Sequence, residues 1–180
     1  MRIIITERQY KLLEKEEKTL KIPFEVFNND WDKLQHYLNK KGNPPYEIIG
    51  NLNLSDTQTK SLGNLQSVGG DLYLFNTPIE SLGNLTSVGG NLYLSETPIE
   101  SLGNLTSVGG NLYLRNTPIE SLGNLQSVGG DLDLFDTPIK SLGNLQSVGG
   151  DLSLFNTPIS EKYSIKEIKQ MVNVGGGIYL

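Results

Sequence analysis

Between Ser61 and Ser160, apolar and polar positions recur every 20 residues, five times without a gap. The first copy reads SLGNLQSVGGDLYLFNTPIE, and four more begin at Ser81, Ser101, Ser121 and Ser141. Fourteen of the twenty columns are identical in all five copies, so the period defines a structural unit. A fixed period of this length predicts a stacked, quasi-one-dimensional array. Leu72 and Leu74 alternate with polar or aromatic neighbours. That period of two predicts a short strand with both leucines facing inward. Gly69-Gly70 before it predicts a turn that uses φ > 0. Thr77-Pro78 ends the strand, because proline has no N–H for the ladder. Val68, Ile79, Leu82 and Leu85 are spaced as the other inward residues of a coil. Each buried side chain gains roughly 1.5–3 kcal/mol, and six of them fall short of what ordering twenty residues costs. A single unit is therefore unstable, and contact between coils must make up the difference.

The flanks depart from the period. Residues 43–60 read as a degenerate first coil, in which Ile48, Gly50, Leu52, Leu54 and Thr57 match Val68, Gly70, Leu72, Leu74 and Thr77. Residues 1–42 read as a helical N-terminal cap. Arg2–Ile5 suits a short strand, and Thr6-Glu7-Arg8-Gln9 fits a capping box ahead of a helix from Glu7 to Lys18. Leu20–Phe27 reads as an extended linker broken by Pro23. Trp31, Leu34 and Leu38 share one face of a second helix starting near Asp30 and ending before Gly42. After Ser160, Ser164-Ile165-Lys166-Glu167 is another capping box, and Ile165, Ile168 and Val172 form the apolar side of a short helix. Val174–Leu180 then returns to the pattern of Val68–Leu74, so residues 161–180 add a six-residue helical insertion and a seventh strand.

Charge sharpens this division. Residues 1–50 hold nine Lys/Arg and eight Asp/Glu, residues 51–160 hold three and ten, and residues 161–180 hold three and two. The array is the acidic part, which argues against nucleic-acid phosphate as a partner. There is no Cys, which removes disulfides and thiol chemistry. The N-terminus lacks a signal-peptide pattern, and no apolar run reaches the roughly 20 residues of a membrane span. These features lead us to expect an intracellular or virion setting. Asn84, Asn104 and their equivalents, and Thr77 with its equivalents, are expected to stack in register and bond backbone at the turns.

The unit resembles a leucine-rich repeat. Leu72-x-Leu74-x-x-Thr77-x-Ile79-x-x-Leu82-x-x-Leu85 follows that spacing, with Thr77 where Asn is usual. The Val88-Gly89-Gly90-Asn91-Leu92 stretch is more like the repeats of receptor L domains. The resemblance implies right-handed coils, one parallel β-sheet face, and a binding role for that face. The opening MRIIITERQYKLL is similar to the start of many short proteins of large tailed phages, which implies a host-cytoplasmic or particle-bound phage protein.

The six variable columns are where function can differ between copies. Three face outward from the expected sheet: one of Asn and Asp beginning at Asn51, a second with Tyr73, Tyr93, Tyr113 and Asp133, and a third with Phe75, Arg115, Phe135 and Phe155. Aromatic residues and arginine are enriched at protein interfaces, which makes these eight side chains a candidate docking surface. Neighbouring aromatics also stabilise sheets by stacking across strands, and the sequence leaves both readings open. Catalysis has little support: His36 is the only histidine, and no nucleophile elbow, phosphate loop or metal triad is present. The expectation is a non-enzymatic protein-binding module without cofactor or metal. The alternative is a structural phage component, in which the solenoid is a spacer and its caps dock. A bare edge at Ile178–Leu180 would also allow self-association.

Overall fold

The computed structural model describes residues 19–180. Within the repeats each coil forms two short strands, as at Ser87–Val88 and Leu92–Tyr93. Among the described residues, stacking them gives two all-parallel sheets, one of eight strands and one of seven. Register advances by one repeat: Ser87 pairs with Ser67 and Ser107, and Leu92 with Leu72 and Leu112. The chain is a β-solenoid. Its seven-stranded sheet is the one that the Leu72/Leu74 alternation predicts. The eight-stranded sheet is additional to the single sheet face expected. The buried residues around Ser87–Val88 are Leu85 and Val88, three apart, so the sequence shows no strand alternation there. Isolated bridges join Ser81 to Ser101 and Ser121 to Ser141 on a third flank.

The core runs through the middle of the coils. Val88, Leu92, Leu94, Ile99, Leu102 and Leu105 are buried, as are their equivalents in the other repeats. The threonine column caps the sheet from inside, with Thr77 Oγ1 donating to Leu74 O at 2.7 Å and Thr97, Thr117, Thr137 and Thr157 doing the same in their coils. The asparagine column also bonds between coils: Asn104 and Asn124 donate to Gly83 O and Gly103 O at 3.3 Å.

The paired glycines turn the chain between the sheets, but for a different reason from the one expected. Left-handed φ in the regular coils falls on the Ser-Leu-Gly glycines and on the column containing Asn76. At the paired glycines the constraint is space. A Cβ on Gly109 would lie 2.1 Å from Gly89 O, and one on Gly110 would lie 2.4 Å from Asn91 Oδ1. The coils close tightly here, with Gly109 N donating to Val88 O at 2.8 Å and Gly110 N to Gly90 O at 2.9 Å.

Non-repeating elements flank both ends of the stack, and Ile178–Tyr179 is an edge strand of the seven-stranded sheet. Leu20–Pro23, read from the sequence as a linker, is a strand paired parallel to Tyr46–Ile49, followed by a 3-10 turn at Phe24–Phe27. Ile22 is buried, and the proline falls at the end of a strand that is an edge among the described residues, where no ladder donor is needed. The expected helix spans Trp31–Lys40, with the Asp30 side chain accepting from Lys33 N at 3.1 Å. Leu34 and Leu38 are buried on its inner face, and Trp31 packs edge-on against Phe24. Tyr46 is buried beneath them, its hydroxyl donating to Leu62 O at 2.7 Å. The strand expected at Arg2–Ile5 and the helix expected at Glu7–Lys18 lie outside the described residues. At the other end, Pro158–Lys162 and Ile165–Met171 are helices with capping boxes at Thr157 and Ser164. The second buries Ile168, while Val172 is buried just beyond its end. Leu152 pairs with Ile178, so the insertion loops out and the final strand resumes the register.

Candidate binding face on the seven-stranded sheet

Four columns run along the outer side of the seven-stranded sheet: the second lies in its strands, the first just before them, and the third and fourth in the turns that follow. The first, from Asn51 to Asp151, belongs to the scaffold. Each side-chain oxygen accepts the backbone N–H one coil further on: Asn91 N bonds Asp71 Oδ1 at 2.7 Å, Asn111 N bonds Asn91 Oδ1 at 2.7 Å, and Asp131 N bonds Asn111 Oδ1 at 2.8 Å. Asn and Asp serve equally because only one oxygen is required, which explains why the column varies between these two. The ladder stops at Gly177, which donates to Asp151 Oδ1 at 2.7 Å and has no side chain to offer.

The second column carries the tyrosines. Tyr73 and Tyr93 stack with ring centroids 4.7 Å apart and planes within 5°, and Tyr93 and Tyr113 stack at 5.0 Å and 15°. The stack is tied to the first column at both ends. Tyr73 OH donates to Asp71 Oδ2 at 2.9 Å, and Asn111 Nδ2 donates to Tyr113 OH at 2.7 Å. The bond to Asp71, with lesser help from desolvation, holds the Tyr73 proton and raises its pKa above the ordinary phenol value.

Asp133 interrupts the stack. It is 9 % exposed, and its carboxylate is satisfied on both oxygens. Oδ1 accepts from Phe135 N at 3.1 Å, and Oδ2 accepts from Arg115 Nε. The Arg115 guanidinium lies 5.2 Å from the centroid of the Phe135 ring, which stacks in turn on Phe155 at 5.7 Å and 2°. Arg115, Asp133, Phe135 and Phe155 therefore form a second cluster beside the tyrosines. Phe75 stands apart, since Ser95 and Arg115 separate it from Phe135 in its column, about 14 Å away at the ordinary strand spacing. Tyr179 extends the tyrosine column at the far end, where it pairs with Ser153. The match of Val174–Leu180 to Val68–Leu74 already points to it.

The fourth column, Asp56, Asn76, Glu96, Asn116, Asp136 and Asn156, has φ between 53° and 60°. Asn and Asp tolerate this left-handed conformation better than most residues. Carboxylate and amide alternate along it, and each amide donates to the carboxylate one coil before: Asn76 to Asp56 at 2.9 Å, Asn116 to Glu96, and Asn156 to Asp136. The alternation keeps two carboxylates from facing each other across one coil spacing, where like charges repel.

The eight-stranded sheet is chemically plainer. A shallow groove of about 570 Å³ follows its outer face, lined by the Ser-Val-Gly columns and carrying no charged or aromatic side chain. Among the described residues no helix is long and apolar enough to cross a membrane, and no group of three or more His, Asp and Glu could hold a metal ion. No family model matches the chain, and no curated protein or solved structure gives a significant match.

Proposed function

We propose that this chain is a non-enzymatic protein-binding module that uses the outer face of the seven-stranded sheet. The observation carrying this reading is apolar exposure on a fixed surface. Phe75, Phe155 and Tyr179 are 44 %, 54 % and 55 % exposed on the same face. Phe155 and Tyr179 stand on neighbouring strands, with Phe75 further along the same face, and large apolar groups exposed in this way are uncommon on monomers and mark interaction surfaces. The rings beside them are held by stacking, so a partner would meet side chains that lose little freedom on binding. Phe75→Ser with Phe155→Ser is expected to abolish partner capture by the full chain and leave its far-UV circular dichroism unchanged. Ser107→Lys, on the other sheet, should leave capture intact. Undiminished capture by the double variant would overturn the proposal.

A second reading has its own support. The central tyrosine, Tyr93, is stacked on both sides, and the hydroxyls of Tyr73 and Tyr113 are bonded within the chain. That suits a stiff spacer, such as a leucine-rich-repeat-like component of a phage particle that docks by its ends. Deletion of residues 1–42 would then prevent incorporation, and changes on the sheet face would be silent.

A further inference from the structure

Resting on the docking role of this face, we infer that its occupant is a cationic amphipathic helix lying along the solenoid axis. The aromatic strip is bordered by acid on both sides. Asp71, Asp131 and Asp151 stand in the first column and Asp56, Glu96 and Asp136 in the fourth. Arg115 is the one cation in the four columns, and Asp133 already neutralises it. An acidic partner would meet repulsion from both borders, whereas Lys and Arg would meet carboxylates. Like-charge rejection and opposite-charge attraction across an interface are what set partner choice.

The dimensions favour a helix. Seven strands at about 4.8 Å make a strip about 30 Å long, the length of roughly twenty helical residues. The borders are five residues apart along each coil, at most about 16 Å. A helix about 10–12 Å across fits between them. Its Lys and Arg stems can lie along the aromatic strip while their charged ends reach the borders. Carboxylates of the fourth column recur every second coil, about 10 Å apart, which is close to the roughly 10.5 Å rise of seven helical residues. The acidic groups are also available. The fourth-column residues are exposed, and the second oxygens of Asp131 and Asp151 carry no hydrogen bond within the described residues.

The test measures binding of two synthetic helices of about twenty residues to the full chain, at low salt and at about 0.15 M. Both carry one Leu/Phe stripe. One has Lys along each flank, and the other has Glu at the same positions. The Lys helix should bind and the Glu helix should not, and binding should weaken at least tenfold with added salt. Asp56→Asn with Glu96→Asn and Asp136→Asn should weaken the Lys helix about tenfold, since rim charges each contribute modestly. Asn is already native at the alternate positions of this column, so the triple variant keeps the backbone. If the Lys and Glu helices bind equally and both are lost in Phe75→Ser with Phe155→Ser, the face docks a partner but charge does not select it, and this inference is overturned. If the Lys helix fails to bind, or binds that double variant as tightly as the native chain, this inference is overturned, while the docking role falls only if partner capture also survives in the double variant.

Discussion

Gly109→Ala tests whether the two-sheet corner is held by contact. The added Cβ would stand 2.1 Å from Gly89 O and 2.9 Å from Gly89 C, both backbone atoms that no rotamer change can move. The coils must separate locally. Three bonds then weaken: Gly109 N to Val88 O, Gly110 N to Gly90 O, and Asn111 N to Asn91 Oδ1. At about 1 kcal/mol for each bond and about 1–3 kcal/mol for overpacking, the expected loss is roughly 4–6 kcal/mol. The control is Gly123→Ala. Gly123 has φ +57° and nothing within 4 Å of its Cβ position, so only backbone strain opposes the substitution. That strain costs about 1–2 kcal/mol, and the stiffer unfolded chain offsets about 0.4–1 kcal/mol of it. Denaturant unfolding followed by far-UV circular dichroism compares the two. A Gly109→Ala variant no less stable than Gly123→Ala would refute the close-approach explanation and return the paired glycines to a conformational role.

Three further outcomes follow from single contacts. Arg115→Ala should cost about 1–2 kcal/mol by leaving Asp133 with one donor, and adding Asp133→Tyr should recover it by extending the Tyr113 stack; unfolding midpoints decide this. Glu96→Asn should raise stability by roughly 0.5 kcal/mol, because Glu96 sits at φ 60° where Asn is better tolerated; an unchanged or lower midpoint would count against strain there. Burial raises the Tyr46 pKa well above the phenol value, so folding favours the protonated ring. That contribution is complete below about pH 10 and is lost as pH rises through the folded value. Stability should therefore fall in alkali, and fall less steeply in Tyr46→Phe.

Most of the solenoid is legible because its signals repeat. The six apolar columns, the threonine column and the strand at Leu72–Tyr73 all follow from one 20-residue unit read five times. The final strand follows from the same pattern at Val174–Leu180. The second sheet does not, since its inward residues Leu85 and Val88 are three apart and show no alternation. The Asn/Asp column misleads for a related reason. A position that tolerates two residue types resembles a free surface, yet both types supply the oxygen the ladder needs. Pro23 hides a strand because proline usually ends one, and here it ends an edge among the described residues. At the candidate face, Tyr73, Tyr93, Tyr113 and Asp133 lie in strands of one sheet, whereas Phe75, Arg115, Phe135 and Phe155 stand in the turns that follow those strands, and their grouping was not legible. Nothing local in Asp133 says that Arg115, eighteen residues earlier, reaches it.

The direct test of the binding face is site-specific photocrosslinking in cells. p-Benzoylphenylalanine in place of Phe155 should trap a protein partner, and the same group in place of Ser107 on the eight-stranded sheet should trap none. Crosslinks from position 107 alone, or from neither position, would contradict a docking role for the seven-stranded sheet.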